Sequence, residues 1–232
     1  MTKNHSIMLL IWVCTWACVA TSCRKKQMPP PPYLPPVVPL PPTSYNDYMP
    51  MRPGSYWIYE FYALDSANGA AHATGRFDSA YVAADTTINF RRYHTYFYHD
   101  YFSPEYQIRY QQDSLQYTVD SKGLIILATR DFKSVFRTYQ FGPNAAVSDT
   151  IKVTEQMGNR YATTVVPAGS FMTISFLEVF HLPPGSPYGT ERIKEHVYAR
   201  NIGLVKETSG FYFSTPQVYE KRLVRYYLAN KR

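Results

Sequence analysis

Apolar and aromatic residues recur along most of this chain at every second position, not at every third or fourth. In GSYWIYEFYALD, residues 54–65, Trp57, Tyr59 and Phe61 alternate with Tyr56, Ile58 and Glu60, which is the period of a pleated strand. Comparable runs lie at 77–84, 92–99, 106–111, 114–119, 123–129 and 134–141, and again at 160–166, 170–181, 191–199, 203–208 and 217–228. They are short, rich in Tyr, Phe, Val, Ile and Thr, and separated by turn-forming stretches such as DSANG, DSKG and GPNAA. Spacing this tight leaves no room for crossover helices, so the strands should be antiparallel and joined as hairpins. The expected fold is all-β: a single antiparallel, mostly meander domain over residues 48–232, forming a strongly curved sheet or half-barrel, with a β-sandwich as the alternative.

The first 47 residues do not share this pattern. Positions 7–20, IMLLIWVCTWACVA, are uncharged and mainly apolar and follow Lys3. That is the length of a signal-peptide core and too short for a membrane span of about 20 residues. The run ends in Ala20, Thr21, Ser22 and Cys23, which resembles the lipobox of bacterial lipoproteins, although Ala20 stands where Leu is usual. The resemblance implies removal of residues 1–22 and fatty acylation of Cys23, which would anchor the chain in a lipid bilayer. All three cysteines fall at positions 14, 18 and 23, so a chain processed there keeps no free thiol for catalysis, disulfides or metal binding.

Residues 23–47 then read as a stalk. Arg24, Lys25 and Lys26 suit anionic headgroups, and nine of the fourteen residues from Pro29 to Pro42 are proline. Proline fixes φ and lacks an amide donor, so this stretch favours polyproline II. Neither an Asp directly after Cys23 nor an acidic cluster follows it. In the lipoproteins it resembles, that absence implies the outer membrane, facing the periplasm.

Charge adds little. The formal net charge is +7, but from Gly54 onward 19 Lys and Arg face 16 Asp and Glu. A nucleic-acid partner would need a basic stripe, and none is expected.

No catalytic, cofactor or metal motif stands out. His94 and His99 are five residues apart on one strand pattern and so point to opposite faces, while His181 and His196 lie on separate runs. There is no His-Glu-x-x-His, no Gly-x-Ser-x-Gly and no glycine-rich phosphate loop. Glu60, Glu178 and Glu195 are the strand carboxylates to inspect for glycoside hydrolysis. Aromatics make up 16% of the chain, with 22 tyrosines. Trp57, Tyr59, Phe61, Tyr96 and Tyr98 are the leading candidates to line a concave surface for a glycan or lipid, with Tyr110, Tyr198 and Tyr227 behind them. The competing reading is that these rings fill the core and pair across strands.

Of nine aspartates between Asp47 and Asp149, six precede Ser or Thr. Five of these pairs resemble the O-glycosylation acceptor of exported Bacteroidota-type proteins, which nominates Ser66 first and then Ser79, Thr86, Ser114 and Thr150. Turn chemistry is the alternative account.

Three segments carry a wider resemblance: YMPMRPGSYWIYEFY (Tyr48–Tyr62), VPAGSF (Val166–Phe171) and YARNIGLVKET (Tyr198–Thr208). Together, in this order, they are similar to a set of exported β-domains, many of them Bacteroidota-type lipoproteins, with no agreed activity. Asn201 replaces a more usual Gly in the last motif. The resemblance implies a curved antiparallel sheet or half-barrel. The function expected from the whole sequence is a membrane-anchored envelope lipoprotein with a non-enzymatic domain that binds a ligand or partner or serves structurally; the alternative is a hydrolase of glycans or lipids. Two carboxylates, or a His with Ser or Asp, meeting in a cleft would favour the hydrolase, and a purely aromatic concave face would favour binding.

Overall fold

A computed structural model describes residues 48–65, 67–99, 105–141, 151–210 and 218–230. Its strands are β1 (Tyr56–Leu64), β2 (Ala71–Ile88), β3 (Arg91–His99), β4 (Tyr106–Ser114), β5 (Tyr117–Asp120) and β6 (Ile125–Ala128). They continue as β7 (Val135–Phe141), β8 (Ile151–Val166), β9 (Gly169–His181), β10 (Glu191–Ala199), β11 (Gly203–Gly210) and β12 (Val218–Tyr227). All twelve belong to one antiparallel sheet in the order β6-β5-β4-β3-β2-β1-β12-β11-β10-β9-β8-β7. The fold is therefore all-β, a single nearly closed, barrel-like meander, and the sandwich alternative is not what forms. The one pairing that is not sequential joins β1 to β12, from Tyr56 opposite Tyr227 to Leu64 opposite Val218. It makes the two ends of the domain the middle of the sheet and leaves β6 and β7 as its edges.

Two strands are longer than their apolar alternation suggests. β2 runs through Ala71–Arg76, and β8 starts at Ile151, where Ile151, Val153, Glu155 and Met157 are buried on one face. Glu155 interrupts the apolar series, which hides the strand from a hydrophobic period count. The turns follow side-chain chemistry. Asp65 Oδ1 accepts from the Ala67 amide at 2.8 Å, and Asp120 Oδ1 accepts from Lys122 and Leu124 at 2.8 and 2.9 Å. Asn201 adopts φ 60°, the left-handed conformation that Asn tolerates.

The β2–β3 hairpin turns on Asn89 and Phe90, at φ 49° and 61°. A two-residue turn with both central residues left-handed suits the twist of the strands but normally carries glycine second. Phe90 is fully exposed, so its ring contributes no packing to offset that conformation. Phe90→Gly should raise stability by about 0.5–1 kcal/mol, read as a higher denaturant midpoint at unchanged slope; a lower midpoint would mean the ring is needed.

The main core gathers the interior face of the sheet, including Trp57, Tyr59, Val82, Leu127, Phe176, Tyr198 and Leu223, and it takes in Tyr48, Met49 and Met51 from the segment before β1. A smaller cluster of Ile151, Val153, Phe180 and Leu182 lies apart from it. In the main core the three sequence motifs meet. Trp57 Nε1 donates to the Ile202 carbonyl at 2.6 Å, and the Tyr59 hydroxyl donates to the Leu204 carbonyl at 3.1 Å. Gly203 sits directly against the indole, where a Cβ would lie 3.2 Å from Nε1 and φ is 103°. The Ala168 amide donates to the Leu223 carbonyl at 2.9 Å.

Candidate functional site

The curved sheet encloses a cavity of about 320 Å³. Its aromatic lining consists of Trp57, Tyr59, Tyr96, Tyr98, Phe176 and Tyr198. Tyr96 stands edge-on to Trp57 at 6.2 Å between centroids and stacks on Tyr98 at 5.7 Å. Both unpaired edges contribute as well, β6 through Ile125 and Ile126 and β7 through Arg137.

Charged residues interleave with these rings on the same strands and form a belt that crosses strand after strand. Arg137 on β7 forms a two-pronged pair with Glu155 on β8, its Nε donating to Oε2 at 2.8 Å. Glu155 lies opposite Glu178 on β9, and Glu178 lies opposite Lys194 on β10. His196 Nε2 is 3.0 Å from Glu178 Oε1, and its Nδ1 is 3.8 Å from Glu207 Oε2 on β11. Lys194 Nζ bridges Glu178 and Glu207 at 3.7 and 3.6 Å. Lys221 on β12 reaches Glu207 at 3.3 Å and Asp78 on β2 at 3.5 Å, and lies 5.2 Å above the Tyr59 ring. Asp78 Oδ1 in turn meets His99 Nδ1 at 2.5 Å.

A β-bulge helps to build this lining. Leu204 and Glu207 have opposite parity, so a regular strand would point them to opposite faces. The β10–β11 register shifts between Val197 and Tyr198, which lets both side chains line the cavity.

Electrostatics follows from these contacts. Burial pushes the Glu178 carboxyl up, but the hydrogen bond from His196 and the charges of His196 and Lys194 outweigh it and bring its pKa down to about 2. Glu207 is likewise raised by burial and then held well below the usual carboxylate range by Lys221, Lys194 and His196. Burial pushes the phenols of Tyr59, Tyr96 and Tyr198 up, so they remain O–H donors at neutral pH.

Two neighbours on β4 depart from this pairing. Arg109 is half-buried; its Nη2 donates to the Tyr98 hydroxyl at 3.0 Å and its guanidinium lies 4.7 Å over the Tyr98 ring. Gln111, two residues on, is 0% exposed, and both amide atoms lack a hydrogen-bond partner. Each also lines the cavity.

Of the rings nominated from the sequence, Trp57, Tyr59, Tyr96, Tyr98 and Tyr198 line the cavity, and Tyr110 does not. Phe61 is buried on the same strand but is not among the lining residues, and Arg76 lies 4.9 Å over its ring. Tyr227 is exposed and stacked on Tyr56 at 5.7 Å. The carboxylates divide: Glu178 lines the cavity, whereas Glu60 meets the Tyr62 hydroxyl at 3.1 Å and Glu195 meets Lys206 at 4.0 Å, away from it. Cys23, Ser66 and Thr150 lie outside the described residues. Ser79 and Thr86 lie within β2, where Ser79 is half-buried and its hydroxyl meets that of Tyr106 at 2.6 Å; Ser114 is the last residue of β4. Among the described residues no three His, Cys, Asp or Glu side chains converge as metal ligands.

Arg109, Gln111, Lys194 and Lys221 carry no sequence motif, and Glu207 falls within the YARNIGLVKET segment without standing out there. Their only signal is that charge recurs at one parity of neighbouring strands, which becomes visible once strand order and register are known.

No family model matches the chain, and no curated protein does. Solved structures similar to it include a protein of Bacteroides fragilis described as exported and as having a YmcC-like fold, at 14% identity and a TM-score of 0.43, covering 78% of this chain and 98% of the other. Another, from Parabacteroides distasonis and described as a lipoprotein, matches at 14% identity and a TM-score of 0.41 over 77% and 97%.

Proposed function

We propose that this chain is a lipid-anchored envelope protein whose β domain binds a small polar ligand inside its curved sheet. The observation that carries the binding reading is the cavity itself. At about 320 Å³ it falls at the lower end of ligand-sized sites, and it combines flat rings with fixed polar groups, as a glycan or a lipid headgroup requires. The anchoring half rests on the apolar run, the small residues before Cys23 and the proline stalk. Native mass spectrometry of the full-length protein, purified from its own envelope, should show a co-purified small molecule that dissociates on activation. Protein that carries no adduct, and takes up none from an envelope extract, would overturn the reading.

A separate prediction tests the anchor. Labelled fatty acid should enter the protein in a Gram-negative host that processes lipoproteins, and Cys23→Ser should abolish that labelling. Equal labelling of the variant would rule out Cys23 as the acylated residue.

A hydrolase is the second reading, because Glu155, Glu178, Glu207 and His196 do meet in the cavity. Against it, Glu178 and Glu207 are held ionised, whereas glycosidic cleavage needs a carboxyl raised enough to act as an acid. Release of new reducing ends from envelope polysaccharide, lost in Glu178→Gln, would favour the hydrolase.

A further inference from the structure

We infer that the ligand of this cavity is an anion, anchored by Arg109 and Gln111. The inference rests on the binding reading above and specifies the ligand's chemistry. Its starting point is an imbalance. Arg137 faces Glu155, Lys194 faces Glu178 and Glu207, and Lys221 faces Asp78 and Glu207. Among the described residues Arg109 has no carboxylate within ion-pair distance, and its one hydrogen-bond partner is the Tyr98 hydroxyl. A guanidinium offers five donors in a fixed fork, so most of its capacity is open.

Gln111 supplies the independent observation. Burying an amide with neither its carbonyl nor its NH₂ satisfied is costly, and cores rarely keep such a group without a reason. Residues 109 and 111 share a strand face, which places the unsatisfied amide beside the under-neutralised cation. Tyr96 and Tyr198 line the same cavity as Arg109, and their hydroxyls remain protonated donors. Guanidinium, amide NH₂ and phenols together form a donor set for oxyanion recognition. Carboxylates oppose it: Asp120 lies opposite Gln111 in register, though its Oδ1 already accepts from the Lys122 and Leu124 amides, and Glu155, Glu178 and Glu207 line the same cavity, each paired with Arg137, Lys194 or Lys221. Charge-assisted hydrogen bonds to a carboxylate or to a phosphate would serve equally, so an acidic sugar and a phospholipid headgroup are the two sources to separate.

The experiment titrates full-length protein in detergent with glucuronate and glycerol 3-phosphate, and with their neutral counterparts glucose and glycerol. Calorimetry is the readout, with Trp57 fluorescence as a second, since Trp57 lines the cavity and no tryptophan follows it. At least one anion should bind saturably, with its neutral counterpart weaker by about tenfold or more, and Arg109→Gln should weaken that anion by about 10–100-fold. The anion that binds identifies the source. Gln111→Leu, which fills similar volume, gives a second test that does not depend on the Arg109 variant folding. It should weaken anion binding while raising the unfolding midpoint of the ligand-free protein, because the unsatisfied amide is gone; a purely structural glutamine would not give both changes.

Three results overturn the inference: neutral counterparts binding as well as the anions, unchanged affinity in well-folded Arg109→Gln, or no binding of either anion at millimolar concentration. None of these touches the broader binding reading. That reading fails separately, if the protein carries and takes up no envelope molecule, whereas a neutral co-purified ligand would support it and sink the anion.

Discussion

Trp57→Ala should destabilise the domain by about 3–5 kcal/mol, the range for truncating a large buried aromatic. The indole is 2% exposed, its Nε1 donates to the Ile202 carbonyl at 2.6 Å, and Gly203 is shaped to receive it. Removing the ring leaves a cavity, an unsatisfied carbonyl and a loosened link between β1 and the β10–β11 turn. Trp57→Phe keeps most of the volume and loses the hydrogen bond, so it should cost less, on the order of 1–2 kcal/mol. Urea unfolding of both variants checks this. If Trp57 served the ligand alone, neither substitution would move the midpoint of the ligand-free protein.

The second large effect concerns acid. Glu178 has a folded-state pKa of about 2 against an ordinary value of 4.5. A carboxyl depressed in the folded state binds protons more readily when unfolded, so its contribution is fully present above 4.5 and is lost as the pH falls towards about 2. Glu207 is depressed in the same direction and adds to the loss. Together they should remove on the order of several kcal/mol across that window. Glu178→Gln should flatten the acid limb. It should also lower stability at neutral pH by about 1–3 kcal/mol, because Lys194 and His196 lose one of the two carboxylates they share and keep only Glu207, at 3.6 and 3.8 Å. Urea midpoints measured at several pH values would test both; a parent protein with a flat acid limb would mean the belt is not ionised as described.

The two predictions concern different kinds of residue, and the sequence treats them differently. Trp57 is conspicuous in it. It sits in an alternating aromatic run and has only one reasonable side of a strand to occupy. Glu178 stands out only as one of three strand carboxylates and Glu207 not at all, and in a sheet with one solvated face such polar positions would point outward. Here the interior face is itself partly charged, and polarity cannot say which face is inside.

By itself the sequence determined that the domain is a meander of many antiparallel strands. Side-chain alternation is a local property with a period of two, and the turn chemistry of Asp65, Asp120 and Asn201 acts within a few residues. It also carried five of the rings that line the cavity, Trp57, Tyr59, Tyr96, Tyr98 and Tyr198, since aromatic residues at one parity of a strand must share a face. Tertiary structure alone decided how the sheet closes. The β1–β12 ladder joins residues some 170 positions apart, as at Tyr56 and Tyr227, and no local preference encodes that pairing. Closure in turn decided which strands became edges and which charges face one another across β7 to β12. The bulge that puts Leu204 and Glu207 on one face breaks the parity on which any sequence count depends. The open guanidinium of Arg109 and the unsatisfied amide of Gln111 became visible last, because a missing partner can be recognised only when every neighbour in space is known.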